Sequence, residues 1–232
     1  MSGIAWLQKT DLPAAMPPTA RALREPNGLL AVGGALTPEW LIHAYRHGIF
    51  PWFSAEQPIL WWAPDPRAVL LPEEFRVSRS LARSIRKRGY ETRIDSAFEA
   101  VIEACAAPRD GTAGTWITRD MHRAYVLLHE RGLAHSFETW HEGRLIGGLY
   151  GVALGRVFFG ESMFTRGTDA SKVALARLVG ECRRLGVPLI DCQMPSPHLT
   201  SLGGRNLPRV RFESELAALV SAGDLLWCER DN

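Results

Sequence analysis

The sequence predicts an α+β fold, from three observations. Proline and glycine clusters (PAAMPP, EPNG, VGGAL, FPWF, WAPDP) break the first 70 residues into short pieces. The middle alternates like a strand meander. Apolar residues at helical spacing then follow, and after them a short apolar run. In order, the N-terminal segment reads as short strands and turns around one helix, Thr37 to His47. There Thr37 can cap, Pro38 fills the first turn, Glu39 suits the positive helix end and Gly48 stops the helix. A boundary falls near Pro64 to Pro66, giving a small N-terminal domain (1–65) and a larger one (66–232). Arg67 to Leu71 follows as a strand, Ser78 to Arg88 as a helix between a serine cap and Gly89, and Ser96 to Ala106 and Thr118 to Arg131 as further helices. Ala134 to His141 and Arg144 to Ala153 pair around a Glu142-Gly143 turn, and Val157 to Phe164 completes the meander. Ala170 to Leu185 carries Val173, Leu175, Leu178, Val179 and Cys182 on one helical stripe, and Leu189 to Cys192 reads as a buried strand. Asp110 to Ala113 and Arg166 to Asp169 read as linkers.

The composition is that of an ordinary globular chain: 232 residues, 46% hydrophobic, 22% charged, net charge +2. Wholesale disorder and fibrous structure are excluded. Four widely spaced cysteines without a Cys-x-x-Cys pair fit reduced thiols in a cytoplasm rather than a disulfide framework. The start, MSGIAWLQKT, lacks a basic run followed by a long apolar one, so no secretory signal is expected. The longest uncharged apolar stretch, Leu145 to Gly155, is too short for a spanning helix of about 20 residues, so a soluble protein is expected. Monomer is the default state.

Charge is concentrated in one place. Arg76, Arg79, Arg83, Arg86, Lys87, Arg88 and Arg93 face a single local acid, Glu91, a segment of +6 in a chain whose remainder sums to −4. On a helix, Arg79, Arg83, Arg86 and Lys87 share one side while Leu81 and Ile85 share the other. The pattern suits a solvated face or a sequence-blind grip on nucleic-acid phosphates. Of the eight tryptophans, Trp52 (between Pro51 and Phe53) and Trp116 (in GTWIT) are the best placed to stack on an unpaired base, although core packing is the commoner use of an indole.

Four polar residues stand out in apolar strands. Glu161 and Ser162 interrupt FFGESMF, where Gly160 suggests a bulge. In LIDCQ, a period of two sends Asp191 and Gln193 to one face and Ile190 and Cys192 to the other. Such a pair can satisfy backbone groups or hold and deprotonate an amine. His43 and His47 lie four apart without a third ligand, so no metal is expected. Cys192 has no evident base. His198, after the Asp191 strand, can assist proton transfer or cap the next turn, and the cap is the preferred reading.

Taken together, EPNGLLAVGG (Glu25–Gly34), GIFPWF (Gly48–Phe53), ILWWAPDPRAVL (Ile59–Leu70), GTWIT (Gly114–Thr118), GGLYGVALGRVFFGESMF (Gly147–Phe164), ASK (Ala170–Lys172) and LIDCQ (Leu189–Gln193) resemble the bacterial leucyl/phenylalanyl-tRNA–protein transferases over almost the whole chain. The resemblance implies a small N-terminal domain followed by a GNAT acetyltransferase-like domain. It implies transfer of leucine or phenylalanine, less readily methionine, from aminoacyl-tRNA to proteins with N-terminal Arg or Lys, marking them for degradation under the N-end rule, with no cofactor. By the same resemblance Asp191 and Gln193 are catalytic, with Gln193 positioning the amine and Asp191 raising its basicity directly or through water. Glu161 and Ser162 meet polar groups of the aminoacyl moiety or 3′ end, and Trp52 and Trp116 hold the terminal adenosine. Leu149, Phe158, Leu175 and Leu178 form the side-chain pocket, and Arg76, Arg79, Arg83, Arg86, Lys87 and Arg88 grip the acceptor stem.

Two rivals remain at this stage. An acetyl-CoA-dependent GNAT enzyme would carry an Arg/Gln-x-x-Gly-x-Gly/Ala pyrophosphate loop, where this chain has Arg166 to Lys172 with one glycine and one acid. A non-catalytic RNA-binding module would leave Glu161, Asp191 and Gln193 without a role.

Overall fold

A computed structural model describes residues 3–108, 117–223 and 225–227. In chain order these form β1 (Ala5–Leu7), β2 (Leu29–Gly33), α1 (Pro38–Arg46), β3 (Phe50–Pro51), β4 (Leu60–Trp62), β5 (Arg67–Leu70), α2 (Arg79–Lys87), β6 (Glu91–Ile94) and α3 (Phe98–Ala106). Then come α4 (Arg119–Glu130), β7 (Ala134–His141), β8 (Arg144–Leu154), β9 (Val157–Thr165), α5 (Ala170–Leu185), β10 (Leu189–Gln193), α6 (Pro197–Ser201), β11 (Arg205–Leu207) and α7 (Arg209–Val220).

The caps fall where the side chains dictate. Thr37, Ser78 and Thr118 each accept a hydrogen bond from a backbone N–H of the first turn of α1, α2 and α4. Gly48, Gly89 and Gly186 follow α1, α2 and α5 with φ of 73°, 65° and 67°. Between β7 and β8, Glu142 and Gly143 both take positive φ, 48° and 73°, the backbone that matches a two-residue hairpin to strand twist. The sequence expectation is silent on β6, β11, α6 and α7, which are short or lack a cap and a clean apolar stripe. On α2, Leu81 is buried as expected, but Ile85 is 41% exposed, and Ser84 takes the inner position by donating to Asp169.

The strands form two sheets. A four-stranded sheet in the order β1-β2-β4-β3 lies in the N-terminal segment, and a seven-stranded sheet in the order β11-β5-β10-β9-β8-β7-β6 carries the rest. In the larger sheet every pair is antiparallel except β9 and β10, which α5 joins as a crossover. Successive residues alternate between two apolar layers. Tyr150, Val152 and Phe159 pack toward a cluster with Trp40, Tyr45, Trp61, Tyr125 and Phe212, which the small sheet shares. Leu149, Ala153, Phe158 and Ile190 pack toward Leu175, Leu178 and Trp227 on the α5 side.

Where α5 starts, it presses directly on β8. A Cβ on Gly147 would lie 2.6 Å from Ala170 Cβ and 2.7 Å from the Ala170 carbonyl carbon, and both partners belong to rigid elements. Gly147→Ala is therefore expected to destabilise by about 1–3 kcal/mol, the usual cost of overpacking, and to lower Tm by several degrees in a thermal melt. An unchanged Tm would show that α5 is free to shift away from β8.

Candidate active site

The parallel ladder between β9 and β10 runs from Leu189–Val157 to Asp191–Phe159 and then stops. Both strands are bulged at that point. On β9, Ser162 pairs with Tyr150 and Gly160 with Gly151, which leaves Glu161 as the extra residue. On β10, Asp191 pairs with Val69 and Gln193 with Ala68, which leaves Cys192 unpaired. A bulge bends its strand and raises its twist, so the two strands part and a cavity of about 280 Å³ opens at their C-terminal ends. Its apolar walls are Leu149 from β8, Met163 from β9, Leu175 and Leu178 from α5, Ile190 from β10 and Leu199 from α6. The polar border is Glu161, Ser162, Gln193, Ser196 and His198, with the Cys192 thiol beside them.

The bulge on β10 overturns the expected parity. Ile190, Cys192 and Gln193 all border the cavity, and Asp191 does not. The extra residue and the left-handed backbone of Gln193 (φ 56°) break the period of two. Asp191 turns the other way and is fully buried. Its Oδ1 accepts from Arg67 Nε at 2.8 Å and its Oδ2 from Arg67 Nη2 at 2.7 Å. The Gln193 backbone N–H also donates to Oδ1, at 3.0 Å, which holds the left-handed residue in place. The carboxylate is thus enclosed, and Gln193 stands between it and the cavity.

Glu161 sits half-buried on the cavity wall. Its Oε1 accepts from the Tyr45 hydroxyl at 2.6 Å and its Oε2 from the Tyr125 hydroxyl at 2.7 Å, and the two hydroxyls lie 2.5 Å apart. Burial pushes the Glu161 carboxyl up to about 7 against the two hydroxyl hydrogen bonds, with nearby Asp191 adding to the rise. Burial and the charge of Glu161 likewise push both tyrosine hydroxyls well above their ordinary range, so they remain donors. The sequence reading did not include either tyrosine or Arg67. Tyr45 and Tyr125 are inward residues of ordinary amphipathic helices, and only the fold brings them to one carboxyl. Cys192 is unsuited to nucleophilic work, since burial and Asp191 push its thiol far up.

The remaining expected site residues divide. Leu149, Leu175 and Leu178 line the cavity, as does Ser162. Phe158 does not: it is fully buried behind the wall, 5.3 Å from the Trp227 ring, and supports the lining instead of forming it. Trp52 is 44% exposed and meets Trp62 edge-on at 5.6 Å, outside the cavity lining. Trp116 and the Asp110–Ala113 linker lie outside the described residues. Arg76, Arg79, Arg83, Arg86, Lys87 and Arg88 are all exposed along α2 and its flanks. The cap before α6 is Ser196, which accepts from the Leu199 N–H at 3.2 Å, and His198 does not serve as the cap. Among the described residues no group of three or more His, Cys, Asp or Glu is placed to hold a metal ion, and no helix is long and apolar enough to cross a membrane.

Sequence comparison agrees with this arrangement of motifs. The profile of the leucyl/phenylalanyl-tRNA protein transferases matches residues 69–217, and that of their N-terminal domain matches residues 34–65. The chain belongs to the leucyl/phenylalanyl-tRNA–protein transferase family. A relative of that name from Thiobacillus denitrificans is 60% identical, over 88% of this chain and 90% of its own length. Another from Stutzerimonas stutzeri is 56% identical, over 92% and 94%. Among solved structures, a GCN5-related N-acetyltransferase from Kribbella flavida aligns with a TM-score of 0.41 at 13% identity, covering 72% of this chain and 59% of that one. The C-terminal domain of a putative lysylphosphatidylglycerol synthetase from Agrobacterium fabrum aligns with a TM-score of 0.42 at 12% identity, covering 74% and 56%.

Because the Glu161 pKa is raised in the native state, the carboxyl contributes stability at low pH that is lost as pH climbs from 4.5 through about 7. Glu161→Gln is therefore expected to melt above the parent at pH 8, with the gap narrowing as pH falls toward 4.5. Parallel Tm-versus-pH curves for the two proteins would remove the buried ionisation from this account.

Proposed function

We propose that this enzyme transfers leucine or phenylalanine, and less readily methionine, from aminoacyl-tRNA to the N-terminal Arg or Lys of acceptor proteins, marking them for degradation under the N-end rule. The observation that carries the reading is the cavity between the parted strands, lined by both apolar and polar side chains, in a chain of this family. Leu149, Leu175 and Leu178 accept an apolar side chain unbranched at Cβ there, with Phe158 backing the wall. A methylene in such a pocket is worth only about 1–3 kcal/mol, so selectivity among leucine, phenylalanine and methionine is moderate. Glu161 and Ser162 take polar groups of the aminoacyl end, and Trp52 and Trp116 take the terminal adenosine. In this reading residues 1–65 form a small domain that helps to hold the 3′ end, and residues 66–232 form the catalytic domain. The work is placed in the cytoplasm, with the chain as a monomer.

The acceptor's α-amino nitrogen attacks the ester carbonyl carbon. A C–N bond forms, the C–O bond to the ribose 3′ oxygen breaks, and one proton passes from the amine to the departing oxygen. With an α-amine pKa of about 7.7–8.0, part of the acceptor is already neutral at physiological pH. Gln193, bordering the cavity, orients that amine, and Asp191 acts through Gln193 as a positioning residue. No covalent enzyme intermediate is needed, because the ester is itself activated.

The helix start that an acetyl-CoA enzyme would use for pyrophosphate supports the tRNA reading instead. Asp169 takes the position just before α5, accepting from Ser84 at 2.8 Å and from Lys172 at 3.1 Å. Burial resists its ionisation, but those hydrogen bonds outweigh it and hold the carboxyl below its usual range. A carboxylate there repels a pyrophosphate. The same Ser84 contact ties α2 to the residue before the helix that walls the cavity.

Incubation with leucyl-tRNA, acetyl-CoA and an Arg-initiated peptide is expected to place leucine, and no acetyl group, on the peptide, with kcat reduced in Gln193→Ala. Acetylation, or no transfer, would overturn the proposal. Arg83→Glu/Arg86→Glu is expected to weaken binding of whole leucyl-tRNA far more than of a short aminoacyl-adenosine analogue, measured by fluorescence titration. Equal losses would remove α2 from stem binding.

A further inference from the structure

The proposed transfer needs a group to take the amine's proton as the C–N bond forms. Gln193 is a neutral amide and a poor base. Both oxygens of Asp191 are engaged by Arg67 in a buried pair, and both oxygens of Glu161 are engaged by tyrosine hydroxyls. The Cys192 thiol is held protonated. Burial likewise holds the Tyr150 hydroxyl, also on the cavity lining, protonated. The titratable side chain left on the lining is the imidazole of His198.

His198 is exposed on the short α6 turn that follows β10, five residues beyond Gln193. That turn is built without its ring. Ser196 caps it, the Thr200 hydroxyl donates to the Ser196 carbonyl, and the Ser201 hydroxyl donates to the His198 backbone carbonyl. Among the described residues the imidazole makes no hydrogen bond or ion pair, so both ring nitrogens are open to a bound substrate. The titratable groups around it are Lys172 on α5, Tyr150 on β8, Glu161 on β9 and Cys192 on β10.

We propose that His198 is a catalytic residue that carries the proton from the attacking amine to the departing ribose oxygen. This rests on the aminoacyl-transfer reading above. The neutral imidazole accepts the amine proton through one ring nitrogen while the C–N bond forms. The imidazolium then returns that proton to the ribose 3′ oxygen as the C–O bond breaks, so the ring ends the cycle neutral and no outside acid or base is consumed. Partial burial and the charge of Lys172 pull the ring below the ordinary imidazole value, which keeps it in the accepting form at neutral pH.

The test is steady-state transfer from leucyl-tRNA to an Arg-initiated peptide by the full chain, across pH 5.5 to 9. His198→Gln is expected to lower kcat by about 10²–10⁴-fold, the usual share of general acid–base catalysis, with KM for both substrates and the Tm little changed. The acidic limb of the parent's kcat profile is expected to disappear, and added imidazole is expected to restore part of the rate to His198→Ala. A variant with the parent's kcat and pH profile would overturn the proposal. So would a loss carried by KM, a failure of imidazole rescue, or transfer of the acidic limb to Glu161→Gln. A parent that moves no leucine would overturn the aminoacyl-transfer reading and this proposal with it, whereas an active parent with an indifferent variant overturns only the proposal.

Discussion

The buried pair of Arg67 and Asp191 is the constraint on which the site depends. Desolvating two full charges costs several kcal/mol each, and the pair persists because its geometry answers nearly every polar atom. Two parallel hydrogen bonds join the side chains, and the remaining guanidinium nitrogen donates to the Gly48 carbonyl at 2.8 Å. The Phe50 and Phe212 rings lie 4.9 and 4.7 Å from the guanidinium carbon. These contacts draw on the N-terminal sheet, β5, β10 and α7 at once. Losing one partner would leave an uncompensated buried charge, worth about 3–5 kcal/mol, so the two charges stand or fall together.

What the pair fixes is the end of β10. The Gln193 N–H bonded to Asp191 Oδ1 supports a left-handed glutamine, a backbone that costs a non-glycine residue roughly 1–3 kcal/mol when nothing compensates. That conformation, with the bulge at Cys192, brings Gln193 to the cavity border. The matching bulge at Glu161 does the same for β9. Two strands that would otherwise continue as a parallel ladder separate instead, and the gap is a cavity lined by apolar side chains of α5 and β8.

Much of the fold is legible in the sequence because its signals are local. Ser78 with Gly89 and Thr37 with Gly48 bracket their helices in a few residues, and Ala170 to Leu185 carries a full apolar stripe. Leu149, Leu175 and Leu178 are assigned to one pocket by the family resemblance and not by any local signal. The side of Asp191 was not legible: period-two reasoning assumes an unbroken strand, and nothing in LIDCQ announces an extra residue at Cys192. Glu161 could be marked as a carboxyl needing a partner, yet Tyr45 and Tyr125 lie 116 and 36 residues away along the chain. Phe158 failed for a simpler reason, since a large apolar residue in the right strand can equally line a wall or stand behind it.

In the proposed reaction, the electrostatics of the site suit what the chemistry must avoid. A free carboxylate beside the acceptor amine would hold it as ammonium, raising its pKa and withdrawing the lone pair that must attack. Asp191 is neutralised by Arg67 before it reaches the cavity, and Glu161 is carried toward neutrality by burial with its oxygens spent on two hydroxyls. In that proposed reading the surface offered to the amine includes the Gln193 amide, polar enough to orient it and uncharged. The Asp191 charge is kept one layer back, where it shapes the backbone without trapping the nucleophile's proton.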